Sequence, residues 1–71
     1  MKPTVDLIQL AGLGANMTID AEKKATVDLI QIAGTMKMKN THLTLKNASK
    51  KPTVDLMQIC NVCQGNITLE F

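Results

Sequence analysis

A block of ten residues occurs three times in this chain of 71 residues, and this repetition limits the possible folds more than any other feature. The copies occupy residues 2–11, 24–33 and 51–60. A shorter block follows each copy, at residues 16–20, 42–46 and 66–70. Self-similarity with a period of roughly 20 to 50 residues is typical of stacked supersecondary units. We therefore expect a single domain, 1–71, made of three units at approximately 1–21, 22–47 and 48–71.

The longer block predicts a short α-helix. Each copy offers a threonine that can cap the helix, and an aspartate in the first turn, where the helix dipole favours negative charge. Apolar residues recur at helical spacing. In the first copy the predicted buried stripe comprises Val5, Leu7, Ile8, Leu10 and Ala11. Gly12 and Gly34 are expected to end the first two helices, which gives helices of about nine residues.

The shorter block predicts a β-strand with one buried face, because polar and apolar residues alternate in it. The apolar side comprises Met17, Ile19 and Ala21, then Leu43 and Leu45, then Ile67, Leu69 and Phe71. The polar side comprises Asn16, Thr18, Asp20, His42, Thr44, Lys46, Asn66, Thr68 and Glu70. These nine residues are the predicted interaction face.

The alternation also predicts the architecture. Strands that are covered by helices on both sides are apolar throughout, whereas these are apolar on one side only. We therefore expect an α/β fold, a short right-handed solenoid of three helix–strand repeats with a parallel three-stranded sheet and all helices on one face. The strand order 1-2-3 would place Lys46 between Asp20 and Glu70, which is a favourable arrangement of charges.

This pattern of a Leu-x-Leu strand and a short apolar helix, repeated every 22 to 27 residues, resembles the leucine-rich-repeat class of α/β solenoids. The resemblance is one of architecture and covers most of the chain. It implies binding through the exposed face of the sheet, and no catalysis.

Cys60 and Cys63 form a Cys-x-x-Cys motif that closes a predicted helix. In redox proteins this motif opens a helix, where the dipole lowers the thiol pKa. Cys60 aligns with Ala11 and Ala33, so we expect a small buried residue there. A thiol or metal protein, including a metal shared across an oligomer interface, is the alternative interpretation.

The other candidates for chemistry are also better explained by structure. Asp6, Asp28 and Asp55 recur because the unit recurs, and the first helical turn is reason enough for an acid. His42 has no nucleophile beside it in the sequence, and we expect it to be a solvated or interface residue. We therefore predict no catalytic residues, no cofactor and no metal.

The charge pattern bears on partners. All eight basic residues are lysines, and five of them lie between residues 37 and 51, where there are no acids. Arginine and aromatic side chains, which contact phosphates and stack on bases, are missing from this patch. Nucleic-acid binding is therefore the weaker alternative, and no segment is long and apolar enough to suggest a membrane. The absence of a signal-peptide pattern leads us to expect a cytoplasmic location.

The prediction for function is a non-catalytic structural or protein-interaction module. A chain of 71 residues with a single aromatic residue, Phe71, is expected to have a core of only marginal stability. Exposed sheet edges invite pairing with another chain. The expected partner is therefore a second copy, bound through the sheet edges or the end repeats, or another protein bound on the polar face.

Overall fold

The computed structural model of the protein describes residues 2–71. The helices and strands of this range are α1 (Thr4–Gly12), β1 (Met17–Asp20), α2 (Thr26–Met38), β2 (Leu43–Lys46), α3 (Thr53–Cys63) and β3 (Ile67–Leu69). Short 3₁₀ turns at Ala21–Lys23 and Ala48–Lys50 lead from β1 into α2 and from β2 into α3. The fold is α/β, with helices and strands alternating along the chain.

The helix starts differ from the prediction. The three helices begin at Thr4, Thr26 and Thr53, after the N-cap residues Pro3, Ala25 and Pro52. No cap side chain forms a capping hydrogen bond in these three helices, so the expectation that the threonines act as caps is wrong. The fixed φ of proline suits a helix entry, and the threonine is the first helical residue instead. The aspartates lie in the first turns, as predicted.

The helix ends are only partly as predicted. Gly12 is the last residue of α1, but Gly34 lies inside α2, which has 13 residues against 9 in α1. The extra length of the second unit is therefore taken up by a helical turn rather than by a loop alone. A Cβ atom at Gly34 would stand 3.4 Å from Cγ1 of Val62 in α3. Glycine at this position allows α2 and α3 to approach closely.

The sheet confirms the predicted strand order. Its three strands are parallel in the order β1-β2-β3. The register pairs Met17 with Leu43 and Leu43 with Ile67, and each following position in step. The units therefore align in space as their sequences align.

The core lies between the helices and one face of the sheet. Its fully buried members are Ala11, Ile19, Ala21, Leu29, Ile32, Ala33, Met36, Leu43, Leu45, Ile59 and Cys63. In α2 the buried positions have the spacing i, i+3, i+4 and i+7, as a single apolar face requires.

Part of the predicted core is wrong. Val5 is 61% exposed, and its equivalents Val27 and Val54 are 60% and 58% exposed. Val27 precedes the buried Leu29 by two residues, and two residues turn a helix by about 200°, so the two side chains point apart. Phe71, expected on the apolar strand face, is 76% exposed because it lies beyond the last residue of β3.

The connection after β2 contains one residue more than the connection after β1. Asn47 adopts the left-handed conformation, with φ of 57°, and Ala48 follows it. Ala21 and Ala48 are both buried at the start of their 3₁₀ turns. Ala48 is therefore the structural equivalent of Ala21.

Candidate interaction surface

Three threonines form a row across the sheet face that is opposite to the core. Thr18 pairs with Thr44, and Thr44 pairs with Thr68. Thr18 and Thr68 are exposed, and Thr44 in the central strand is half-buried. β-branched hydroxyl residues suit this position, because they favour strand backbone and still present a polar group. The structure therefore brings these predicted face residues together.

The residues that precede the strands bind mainly to backbone. The side-chain oxygen of Asn16 accepts a hydrogen bond from the His42 amide N–H at 2.8 Å. The side-chain amide of Asn66 donates to Asn40 Oδ1 at 3.1 Å and to the Thr41 carbonyl at 3.0 Å. Their side chains thus hold neighbouring units in register. Sequence reasoning assigned both to the interaction face without this role.

His42 occupies the middle of the polar face. Its Nε2 atom lies 2.7 Å from Oγ1 of Thr68, a hydrogen bond in which either atom can be the donor. His42 and Thr68 are both exposed. The imidazole therefore reaches from the start of β2 to the hydroxyl row, and it can offer its other ring nitrogen to a bound molecule.

Charged residues lie at the other end of the strands. Asp20 pairs with Lys46 in the register of the sheet. Glu70 follows β3; its backbone N–H donates to the Leu45 carbonyl at 2.8 Å, and its carbonyl accepts from the Ala48 N–H at 2.9 Å. The Asn47 side chain and then the backbone N–H of Glu22, at 2.9 Å, lower the pKa of Asp20 below its ordinary value. Asp20 is therefore fixed as an anion at this edge.

Two lysines form a ladder between the units, which sequence reasoning missed. The Lys24 amine donates to the Lys2 carbonyl at 2.8 Å, and the Lys51 amine donates to the Lys24 carbonyl at 2.8 Å. The sequence offered a signal for this contact, since each helix block begins with a lysine. The ladder also ties one lysine of the basic patch, Lys51, to backbone.

A second contact between units involves a repeated aspartate. Oγ1 of Thr26 in α2 donates to Oδ2 of Asp55 in α3 at 3.0 Å. The aspartate therefore serves packing between helices in addition to the helix dipole. In residues 2–71, no group of three or more His, Cys, Asp or Glu residues is arranged to hold a metal ion.

The two cysteines differ from the prediction. Cys63 is fully buried, whereas Cys60 is only partly buried. Sγ of Cys63 lies 3.8 Å from the Ala33 carbonyl, so Cys63 covers Ala33 on the neighbouring helix. Within residues 2–71 no helix covers Cys60 in the same way. The prediction that Cys60 is buried, which rested on its alignment with Ala33, is therefore wrong. Burial first, and then the nearby Cys60, raise the pKa of the Cys63 thiol.

Comparisons with known proteins identify no relative of this chain. The chain matches no protein-family model, no curated protein and no solved structure. Among residues 2–71, none of the helices combines the length and the apolar character needed to cross a membrane. The likeness to leucine-rich repeats therefore stays a prediction drawn from architecture.

Proposed function

We propose that this chain is a non-catalytic protein-interaction module, a short solenoid of three helix–strand repeats that binds its partners through the open sheet face and its edges. The single observation that carries this proposal is the in-register row of Thr18, Thr44 and Thr68, with no element of residues 2–71 placed over it. A reducing compartment such as the cytoplasm fits two cysteines that are both free thiols.

The face has the properties of a protein-binding surface. It is the open face of a three-stranded sheet, and its hydroxyls can donate and accept hydrogen bonds. His42 adds an imidazole ring, and Lys46 opposite Asp20 adds charge of both signs. Such a mixture favours a polar, extended partner over an apolar one. The inter-unit hydrogen bonds hold the row rigid, which lowers the entropy lost on binding.

The repeated hydrogen bonds support the solenoid. The amine of Lys24 binds the Lys2 carbonyl, and the amine of Lys51 binds the Lys24 carbonyl. The same hydrogen bond therefore joins the second unit to the first and the third unit to the second. The strands repeat the same relation in their register. These regular contacts support the proposed stack of equivalent units.

A capture experiment with matched variants tests the proposal. The variant Thr18→Lys/Thr44→Lys adds two charges to the sheet face, and the control Gln31→Lys/Gln58→Lys adds two charges to exposed helix positions. We expect proteins retained by immobilised wild type and by the control to be lost with the sheet-face variant. Circular dichroism should show all three proteins folded. Equal retention by the two variants would contradict binding through this face.

A further inference from the structure

Equivalent helix positions differ in exposure according to the neighbour that they face. Leu10 in α1 is 41% exposed, while its equivalents Ile32 in α2 and Ile59 in α3 are fully buried. These two units have a preceding unit to pack against, and the first unit has none within residues 2–71. This position therefore faces the preceding unit.

A second position faces the following unit. Met57 in α3 is 64% exposed, whereas its equivalents Ile8 in α1 and Ile30 in α2 are half-buried. We call the outer side of α1, which bears Leu10, the α1 surface, and the outer side of α3, which bears Met57, the α3 surface. Each of them exposes one half of a contact that is buried between neighbouring units elsewhere. By contrast, the valine position is about equally exposed in all three units, since it faces away from both neighbours.

The hydrogen bonds between units also distinguish the side that faces the preceding unit from the side that faces the following unit. Lys24 and Lys51 each donate to a carbonyl of the preceding unit. Thr26 donates to Asp55 of the following unit. The α1 surface therefore presents the Lys2 amine and the Asp6 carboxylate. The α3 surface presents the exposed Thr53 hydroxyl and the Lys51 carbonyl. Each donor on one surface has its matching acceptor on the other.

The α1 surface is concave. A depression of about 270 Å³ is lined by Lys2, Asp6, Gln9, Leu10 and Leu13. Its lining includes the exposed Leu10 and Leu13, together with a lysine and an aspartate whose equivalents in the later units make the polar contacts between units. A methionine side chain is flexible and fits irregular apolar depressions well.

We infer that the α3 surface of one copy binds the α1 surface of a second copy, head to tail, so that the stack of units continues across the two chains. In this arrangement Met57 enters the depression beside Leu10 of the second copy. The second copy's Lys2 amine meets the Lys51 carbonyl, and its Asp6 meets the Thr53 hydroxyl. This inference rests on the proposed interaction role, and it identifies the partner as this chain itself.

The sheet gains from the same arrangement. β1 of the second copy comes beside β3, whose outer edge has no strand paired to it within residues 2–71. Pairing removes two exposed edges at each junction. Because the two surfaces differ, the interface is heterologous, and assembly continues into open chains rather than closing as a symmetric dimer.

Two variants block one surface each. Leu13→Glu changes a side chain that is 86% exposed on the α1 surface, and Met57→Glu changes one that is 64% exposed on the α3 surface. The matched controls are Val5→Glu and Val54→Glu, on the same two helices but facing away from both neighbours. A charge buried at the centre of an interface is expected to raise the dissociation constant roughly thirtyfold or more.

Sedimentation velocity over a range of concentrations gives the readout. Wild type and both valine variants should form species that lengthen with concentration, and each blocked variant should remain a monomer. An equimolar mixture of the two blocked variants should give dimers that do not grow, since each chain retains one working surface. Blocked variants that assemble like wild type, or a mixture that stays monomeric, would overturn the inference.

One substitution should strengthen the contact. Asn61 in α3 occupies the position of Gly34, over which Val62 packs, and Leu13 is the equivalent of Val62. Asn61→Ala removes bulk where Leu13 of the second copy is placed, so the dissociation constant should fall severalfold. An unchanged or higher constant contradicts this register of docking.

The sheet-face variant separates this inference from the proposed function. Of its two substitutions, Thr44→Lys alone lies on the central strand, away from the proposed junction between β1 and β3, and this single variant should assemble like wild type. A wild type that is monomeric at every concentration overturns head-to-tail assembly. The capture experiment still tests binding through the sheet face independently of that result. Assembly that depends on Thr44 instead of on Met57 assigns self-association to the sheet face and contradicts the stacked arrangement.

Discussion

The helices α1 and α2 share a sequence block but differ in their surroundings. Ile32 in α2 is fully buried, and Leu10, its equivalent in α1, is 41% exposed. Helix α2 packs between α1 and α3, whereas α1 has a helix of residues 2–71 on one side only. The difference teaches that the repeated block fixes which face of a helix is apolar, while the neighbouring units decide how much of that face is buried.

The largest effect is expected in the core. Ile32 is fully buried, so Ile32→Ala leaves a cavity in the core and should lower the free energy of unfolding by about 2–5 kcal/mol. Leu10→Ala removes a side chain that is already partly in water, so it should cost about 1 kcal/mol or less. Urea unfolding of both variants, at concentrations low enough to keep the chains monomeric, measures the two values. Equal losses would show that the two positions are not distinguished by their neighbours.

The aspartates give the next comparison. Asp55→Ala removes the acceptor of the Thr26 hydroxyl as well as a charge at the helix N-terminus. Asp6→Ala removes the equivalent charge on α1, which has no preceding unit within residues 2–71. Asp55→Ala should therefore cost about 1–2 kcal/mol more than Asp6→Ala. If the two substitutions have the same effect in urea unfolding, the hydrogen bond between the helices does not stabilise the fold.

The lysine ladder should contribute less. Lys51→Met keeps most of the apolar stem and removes the donor to the Lys24 carbonyl, so we expect a loss of about 0.5–1 kcal/mol. Lys2→Met leaves both ladder hydrogen bonds of the described chain intact and should be close to neutral in the monomer. Thermal unfolding of the pair provides the measurement. A neutral Lys51→Met would remove the ladder from the account of stability.

The smallest effect concerns pH. Folding lowers the pKa of Asp20 below 3.8, because Asn47 and the Glu22 N–H bind the ionised form. The contribution of Asp20 to stability is therefore complete above pH 3.8 and is lost as the pH falls through the lower pKa of the folded state. The difference in stability between wild type and Asp20→Asn should shrink over that acid range. A difference that stays constant with pH would argue against this interaction.

Much of the fold was predictable from the sequence, because it depends on patterns that one unit carries. The alternation around Ile19 and Leu45 predicted one buried sheet face, and the order of the blocks predicted parallel strands in the order 1-2-3. The burial of Ile19 and Leu45 confirms the first prediction, and the register of the strands confirms the second. The same alternation brought Thr18, Thr44 and Thr68 to one face of the sheet.

What sequence reasoning missed depends on contacts between units. Gly34 reads as a helix stop in its local sequence, yet it lies within α2, where Val62 of the next helix packs against it. Cys60 aligns with a buried alanine, yet Cys63 is the buried thiol because it is the residue that reaches Ala33. The sequence of one unit alone does not show which residues of the neighbouring unit contact it.

The account rests on units stacked in a fixed parallel register, and nuclear magnetic resonance can measure that register directly. Couplings across hydrogen bonds should join the Met17 amide to the His42 carbonyl and the Leu43 amide to the Asn66 carbonyl. Nuclear Overhauser effects in the monomer should link β1 with β2 and β2 with β3. Direct contacts between β1 and β3 in the monomer, or antiparallel pairing of any two strands, would contradict the stacked arrangement.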